Sequence, residues 1–86
     1  MKVVIPSPLA DYTAGRREIE GEGDTLDTVL KDLDLQYAGI RFRMIDEQGS
    51  IRAHIKLFIN GVLTKNLSQA LRANDELIVV AALSGG

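Results

Sequence analysis

Glu76-Leu-Ile-Val-Val-Ala-Ala-Leu-Ser-Gly-Gly86 closes the chain with an apolar run that leads straight into two glycines. Leu77 to Leu83 carries no charge at any position, and a run that is apolar throughout suits a strand hydrogen-bonded on both edges in the middle of a sheet. Gly85 and Gly86 have no side chain to bury and lose the most conformational freedom if ordered. The sequence therefore divides here, into a folded domain over 1–83 and a flexible tail of Ser84, Gly85 and Gly86. A tail this narrow, ending in a carboxylate, fits a slot too tight for side chains and suits an enzyme that must reach the carboxylate itself. Two terminal glycines by themselves fit a frayed terminus better, and it is the rest of the chain that favours the functional tail.

Working back from that strand, His54-Ile-Lys-Leu-Phe-Ile59 alternates, with Ile55, Leu57 and Ile59 on one face. Asn60-Gly61 is the strongest short-range hairpin signal, so Val62 and Leu63 form a short return strand. Leu67 to Leu71 is expected to turn once as a helix, and Asn74-Asp75 to make a turn before the last strand. At the other end, Val3, Val4 and Ile5 form a strand stopped by Pro6 and Pro8. Leu9 to Gly15 reads as a loop, and Arg16 to Gly21 as a second, charged edge strand.

Between the two halves, Leu26, Val29, Leu30, Leu33 and Tyr37 make one apolar stripe at helical spacing. Thr25 or Asp24 can cap its first amides, Asp27 suits its first turn, and Gly39 is the expected stop with Ile40 packing back on the last turn. Arg41 to Ile45 predicts a short helical turn and Asp46-Glu-Gln-Gly49 a connection with positive φ at Gly49. The order is strand, strand, helix, strand, short strand, strand. A hairpin, a crossing helix and a last strand returning beside the first give an α+β β-grasp domain: a mixed sheet of four to five strands packed on one main helix.

One helix covers one sheet face. With Val3, Ile5, Ile55, Leu57, Ile59, Leu77 and Val79 turned to the helix, parity puts Val4, Phe58, Ile78 and Val80 outward on neighbouring strands. A contiguous outward apolar patch marks a partner surface, unless long side chains such as Lys2, Lys56 and Arg52 lie across it.

Length and composition narrow the function further. The chain has 86 residues, 45% apolar and 26% charged, as expected of one small globular domain. A net charge of −2 with scattered cations gives no footprint for nucleic acid, and no stretch approaches the roughly 20 apolar residues that span a bilayer. There is no cysteine, hence no disulfide, thiolate metal site or thiol nucleophile, and a cytoplasmic location is the expectation. His54 is the only histidine, and no catalytic triad, metal cluster or phosphate loop assembles around it. Asp32, Asp34, Asp46 and Glu47 read as solvated carboxylates. The domain reads as a partner or substrate of enzymes, with no bound cofactor and no metal.

The chain resembles the ubiquitin-like bacterial sulfur carriers, which include the thiamin-pathway carrier, the small subunit of molybdopterin synthase and the cysteine-pathway carrier. The resemblance is carried by Gly23-Asp-Thr-Leu26, Tyr37-Ala-Gly-Ile-Arg41, Asp46-Glu-Gln-Gly49, Leu57-Phe-Ile-Asn-Gly61, Asn74-Asp75-Glu76 and Gly85-Gly86, in this order. It implies that the Gly86 carboxylate is adenylated by a ubiquitin-activating-type enzyme using ATP and converted to a thiocarboxylate. The sulfur then passes to a biosynthetic enzyme, and in some members a protease exposes or regenerates the Gly-Gly end. The resemblance leaves the receiving pathway open. It also leaves open two other classes, a ubiquitin-like modifier joined to lysines through Gly86 and an interaction module with an inert tail.

Overall fold

Pro6 and Pro8 end the first strand, β1 (Lys2–Val4), where the sequence predicts, because proline has no N–H to give a sheet ladder. The structure is a computed structural model and describes residues 1–82. After β1 the expected loop is instead a 3-10 helix, Ser7–Thr13, with proline in its first turn and Ala14 closing it at φ 55°. It forms because it has something to bury: Leu9 is packed into the core, and the buried Thr13 hydroxyl donates to Arg16 O at 2.6 Å. β2 (Glu18–Glu20) returns antiparallel to β1 with Val3 opposite Ile19, leaving Glu18 and Glu20 exposed at a sheet edge.

The helix stripe becomes α1 (Leu26–Gln36), which buries Leu26, Val29, Leu30 and Leu33. Each such side chain contributes about 1.5–3 kcal/mol when removed from water. Thr25 is the cap. Its Oγ1 accepts from Thr28 N at 3.2 Å, and Thr28 Oγ1 accepts from Thr25 N at 2.9 Å. Gly23 holds this start close to the chain before it, since a Cβ there would lie 2.5 Å from Thr28 Oγ1 and 2.7 Å from Val29 N. Gly39 does not stop the helix. α1 ends at Gln36 with Tyr37 as its C-cap, and Gly39, at φ 95°, opens a second helix, α2 (Ile40–Met44), whose Ile40 and Met44 are buried.

β3 (Ile55–Ile59) buries Ile55, Leu57 and Ile59 as the alternation predicts. Asn60 and Gly61 take φ 51° and 84°, the two left-handed residues of a tight hairpin turn, and return the chain as β4 (Val62–Thr64). The last strand, β5 (Glu76–Ala81), runs parallel to β1 and antiparallel to β3, so the sheet order is β2-β1-β5-β3-β4. Leu83, expected to end that strand, lies outside the described residues.

Residues 67–71 are not helical, and hydrogen bonding gives the reason. The first amides of α1 lack partners within the helix. Leu26 N donates to Gln69 O at 3.0 Å and Asp27 N to Leu67 O at 2.8 Å, while Leu71 N donates back to Asp24 O at 2.8 Å. A helical turn over 67–71 would pair Leu67 O with Leu71 N, two groups that bond to Asp27 N and Asp24 O instead.

Two stability outcomes follow from this packing. Leu30→Ala should cost about 2–5 kcal/mol, read from chemical denaturation, and an unchanged midpoint would refute the assigned helix face. Asp27 accepts from Arg41 Nη2 at 2.9 Å and pairs with Lys31 at 3.0 Å, contacts that hold its carboxyl below the ordinary range, Arg41 contributing most. Because the folded-state value is depressed, the stabilisation is complete above the unfolded carboxylate value of about 4 and is lost as pH falls through the lower folded value. Asp27→Asn should therefore lower stability near neutrality and flatten its fall with acid, as measured by denaturation midpoints across that range.

Candidate functional site

The outward side chains come together by register. β1 places Val4 beside Ile78 of β5, β5 places Ile78 opposite Phe58 of β3, and β3 places Phe58 opposite Leu63 of β4, giving one apolar row across four strands. Val80, 41% exposed, extends the patch along β5 opposite Lys56. Val4, Phe58 and Ile78 are half-buried, since each is flanked by its neighbours on the pleated face. The four residues expected outward thus share one surface. Leu63, 49% exposed, completes the row and was not anticipated. The signal was present: a two-residue Asn60-Gly61 turn must pair 59 with 62 and hence 58 with 63.

The same face is electrically lopsided. At one end Lys2 Nζ lies 3.0 Å from Glu18 and 3.3 Å from Glu76, contacts that raise its pKa, Glu18 contributing most. Glu20 is exposed on the same edge strand. The opposite end, where β5 finishes, has the opposite sign: Lys56 stands beside Val80 on the outward face, and Arg43 lies near the end of the strand. Ala82 N donates to His54 O at 2.8 Å, and a shallow pocket joins Ala81 and Ala82 to His54 and Arg43. Ser84, Gly85 and Gly86, the expected tail and reacting terminus, lie outside the described residues.

The carboxylates read as solvated do local structural work. Asp34 Oδ1 accepts from Gly39 N and Arg41 N at 3.1 Å each, fixing the entry to α2. Asp46 Oδ1 accepts from Gln48 N and Ser50 N at 2.9 Å each, closing the connector turn. Asp32 Oδ2 accepts from Glu22 N at 2.9 Å. Among the described residues no group of His, Cys, Asp and Glu could hold a metal ion, and no helix is long and apolar enough to cross a membrane.

The ThiS family model matches residues 3–86, so the match extends through the terminal glycines. The chain belongs to the ThiS family. It has the β-grasp fold of the ubiquitin-like sulfur carriers, and it is a sulfur carrier of cysteine or cofactor biosynthesis. It is 29% identical to the sulfur carrier protein CysO of Mycobacterium tuberculosis over 98% of this chain and 96% of that one. Among solved structures it is similar to the BexX/CysO complex of Amycolatopsis orientalis, with 26% identity, a TM-score of 0.89 and coverage of 99% and 98%. It is also similar to the small archaeal modifier protein 1 of Haloferax volcanii, with 27% identity, a TM-score of 0.77 and coverage of 96% and 97%.

The two faces of β3 should respond oppositely to the same charge. Leu57 is fully buried under the helix and Phe58 is on the outward row, so Leu57→Asp should abolish cooperative thermal unfolding while Phe58→Asp retains it. Loss of the transition in Phe58→Asp would make that residue core.

Proposed function

We propose that Gly86 is the reacting residue of this ThiS-family carrier and that Val4, Phe58, Ile78 and Val80, with Leu63, seat the enzymes that act on it. The observation that carries the reading is positional: β5 belongs to the apolar row and also leads out of the sheet toward Gly-Gly. A protein gripping the row is thereby adjacent to the chain segment that supplies the terminus. The family match running to residue 86 supports the same assignment.

The chemistry is that of a carboxylate. Ionised at neutral pH, with a reference pKa of about 3.5, it is a poor electrophile. In the adenylating partner a Gly86 oxygen attacks the α-phosphorus of ATP and releases pyrophosphate. A hydrosulfide equivalent from the sulfur donor then adds to the acyl carbon and AMP leaves, so that the carbon–oxygen bond to phosphate is exchanged for a carbon–sulfur bond. The protein is a co-substrate in this scheme, holding no cofactor and supplying no catalytic side chain. Sulfur next passes from Gly86 to an accepting biosynthetic enzyme. A protease that exposes or regenerates the glycine end fits the same cycle, and a cytoplasmic location is consistent with ATP-dependent activation.

A second reading, in which Gly86 forms isopeptides on lysines, is favoured by the likeness to an archaeal modifier protein. Both readings begin with adenylation. Intact-mass measurement of the protein from its host separates them: sulfur replacing oxygen at the terminus marks a carrier, and conjugate ladders mark a modifier.

Deleting Gly86 should leave the melting curve unchanged while ATP–pyrophosphate exchange by the adenylating enzyme falls roughly 100-fold or more, because the carboxylate retreats by one residue from the phosphate it must meet. Gly86→Ala should also be impaired, through its added Cβ and restricted φ. Exchange at the parental rate by the deletion variant would remove Gly86 from the reaction.

A further inference from the structure

A cleft of about 380 Å³ opens beside the apolar row, between the connector at 49–53 and the segment that leaves β4. Its volume lies within the range of roughly 300–1,000 Å³ usual for ligand sites. Arg52, Lys56 and Lys65 line it, Leu63 and Leu67 give it an apolar wall, and no Asp or Glu contributes to the lining. Among the described residues none of those three cations is in an ion pair. Of the two acids in the connector, Asp46 is committed to the amides of Gln48 and Ser50, and neither it nor Glu47 lines the cleft.

Arg52 is held in place. Its Nε donates to Phe42 O at 2.7 Å and its guanidinium carbon lies 4.6 Å from the centroid of the exposed Phe42 ring. Stacking on an aromatic face leaves the outer edge of the guanidinium in a fixed direction, which lowers the entropic cost of meeting an anion. Lys56 and Lys65 are solvent-exposed.

We propose that this cleft receives an acidic segment of the adenylating partner, with carboxylates on Arg52, Lys56 and Lys65 and an apolar side chain against Leu63 and Leu67. The inference rests on the carrier reading above and specifies its partner. A protein segment fits because the cleft is continuous with the docking row: Leu63 belongs to both, and Lys56 is the cross-strand neighbour of Val80. A body seated on Phe58 extends into the cleft without a gap. Charge also fixes its direction, since the far end of the face presents Glu18, Glu20 and Glu76 around Lys2. An acidic segment lodged at that end would meet like charge, and a rotated partner would lose the cleft.

The test is ATP–pyrophosphate exchange by the adenylating enzyme of the same organism, titrated in carrier at low and high salt. The proteins compared are the full chain, the double variant Lys56→Glu with Lys65→Glu, and Lys31→Glu as a control on the helix side of the sheet. The double variant should raise KM about tenfold or more at low salt with kcat retained, and the difference should shrink at high salt as the charges are screened. Lys31→Glu should match the parent. Equal KM for the double variant and the parent overturns the assignment while leaving the carrier reading intact; no exchange with the parent overturns both. Titration of the isotope-labelled full chain with inorganic pyrophosphate distinguishes a small anion. Saturable shifts confined to 49–53 and 63–67 at submillimolar concentration would make the cleft a phosphate subsite and refute the protein segment.

Discussion

β5 is hydrogen-bonded on both edges and covered by helix on one face only, and the rest of the molecule is arranged around that asymmetry. Its inward residues, Leu77 and Val79, are buried under α1, while Ile78 and Val80 point the other way. An apolar strand in the centre of a two-layer domain cannot hide both faces. The neighbours do not hide the second face either; they add Val4, Phe58 and Leu63 to it. One parity of each strand is thus buried in the core and the other is left outward, so the two faces can be altered separately at adjacent residues.

The helix that covers the inner face depends on a segment far along the chain. Gln69 O and Leu67 O satisfy the amides of Leu26 and Asp27, and Asp24 O receives Leu71 N. These bonds tie the start of α1 to the crossover between β4 and β5, so the helix is seated by the same stretch that delivers β5 to the centre of the sheet. Burial of Leu71 adds an apolar contact at the junction. At the other end Asp34 fixes the turn into α2, and Asp27 pairs with Arg41 across α1 and α2. The ties to residues 67–71 are local in space and distant in sequence.

That distance explains what could be read from the sequence. Strand alternation, the α1 stripe, the Asn60-Gly61 turn and the central place of β5 all rest on short-range patterns and strand parity, and they hold. So does the outward set of Val4, Phe58, Ile78 and Val80, since parity follows from strand identity. The readings that fail are those in which a partner far along the chain outweighs local preference. Leu67 to Leu71 has helical spacing but gives its carbonyls to α1. Leu9 and Thr13, read as part of a loop over Leu9 to Gly15, are instead buried on a 3-10 helix, because a core built by distant strands and helices lies beneath them.

An exposed apolar row carries a risk of self-association, and the charges around it bear on that risk. Two copies stacked with the same strands aligned, by a two-fold axis parallel to them, would set Glu20 and Glu76 of one copy against the matching acidic row of the other. The same stacking would set Lys56 against the matching basic row. Like charges opposed in this way cost binding energy even when the centre is apolar. A partner with the inverse pattern, acidic beside the β5 exit and basic beside β2, gains where a second copy in that orientation loses. On the docking proposed above, the row can stay apolar enough to hold an enzyme, with discrimination falling to the rim and affinity to the centre.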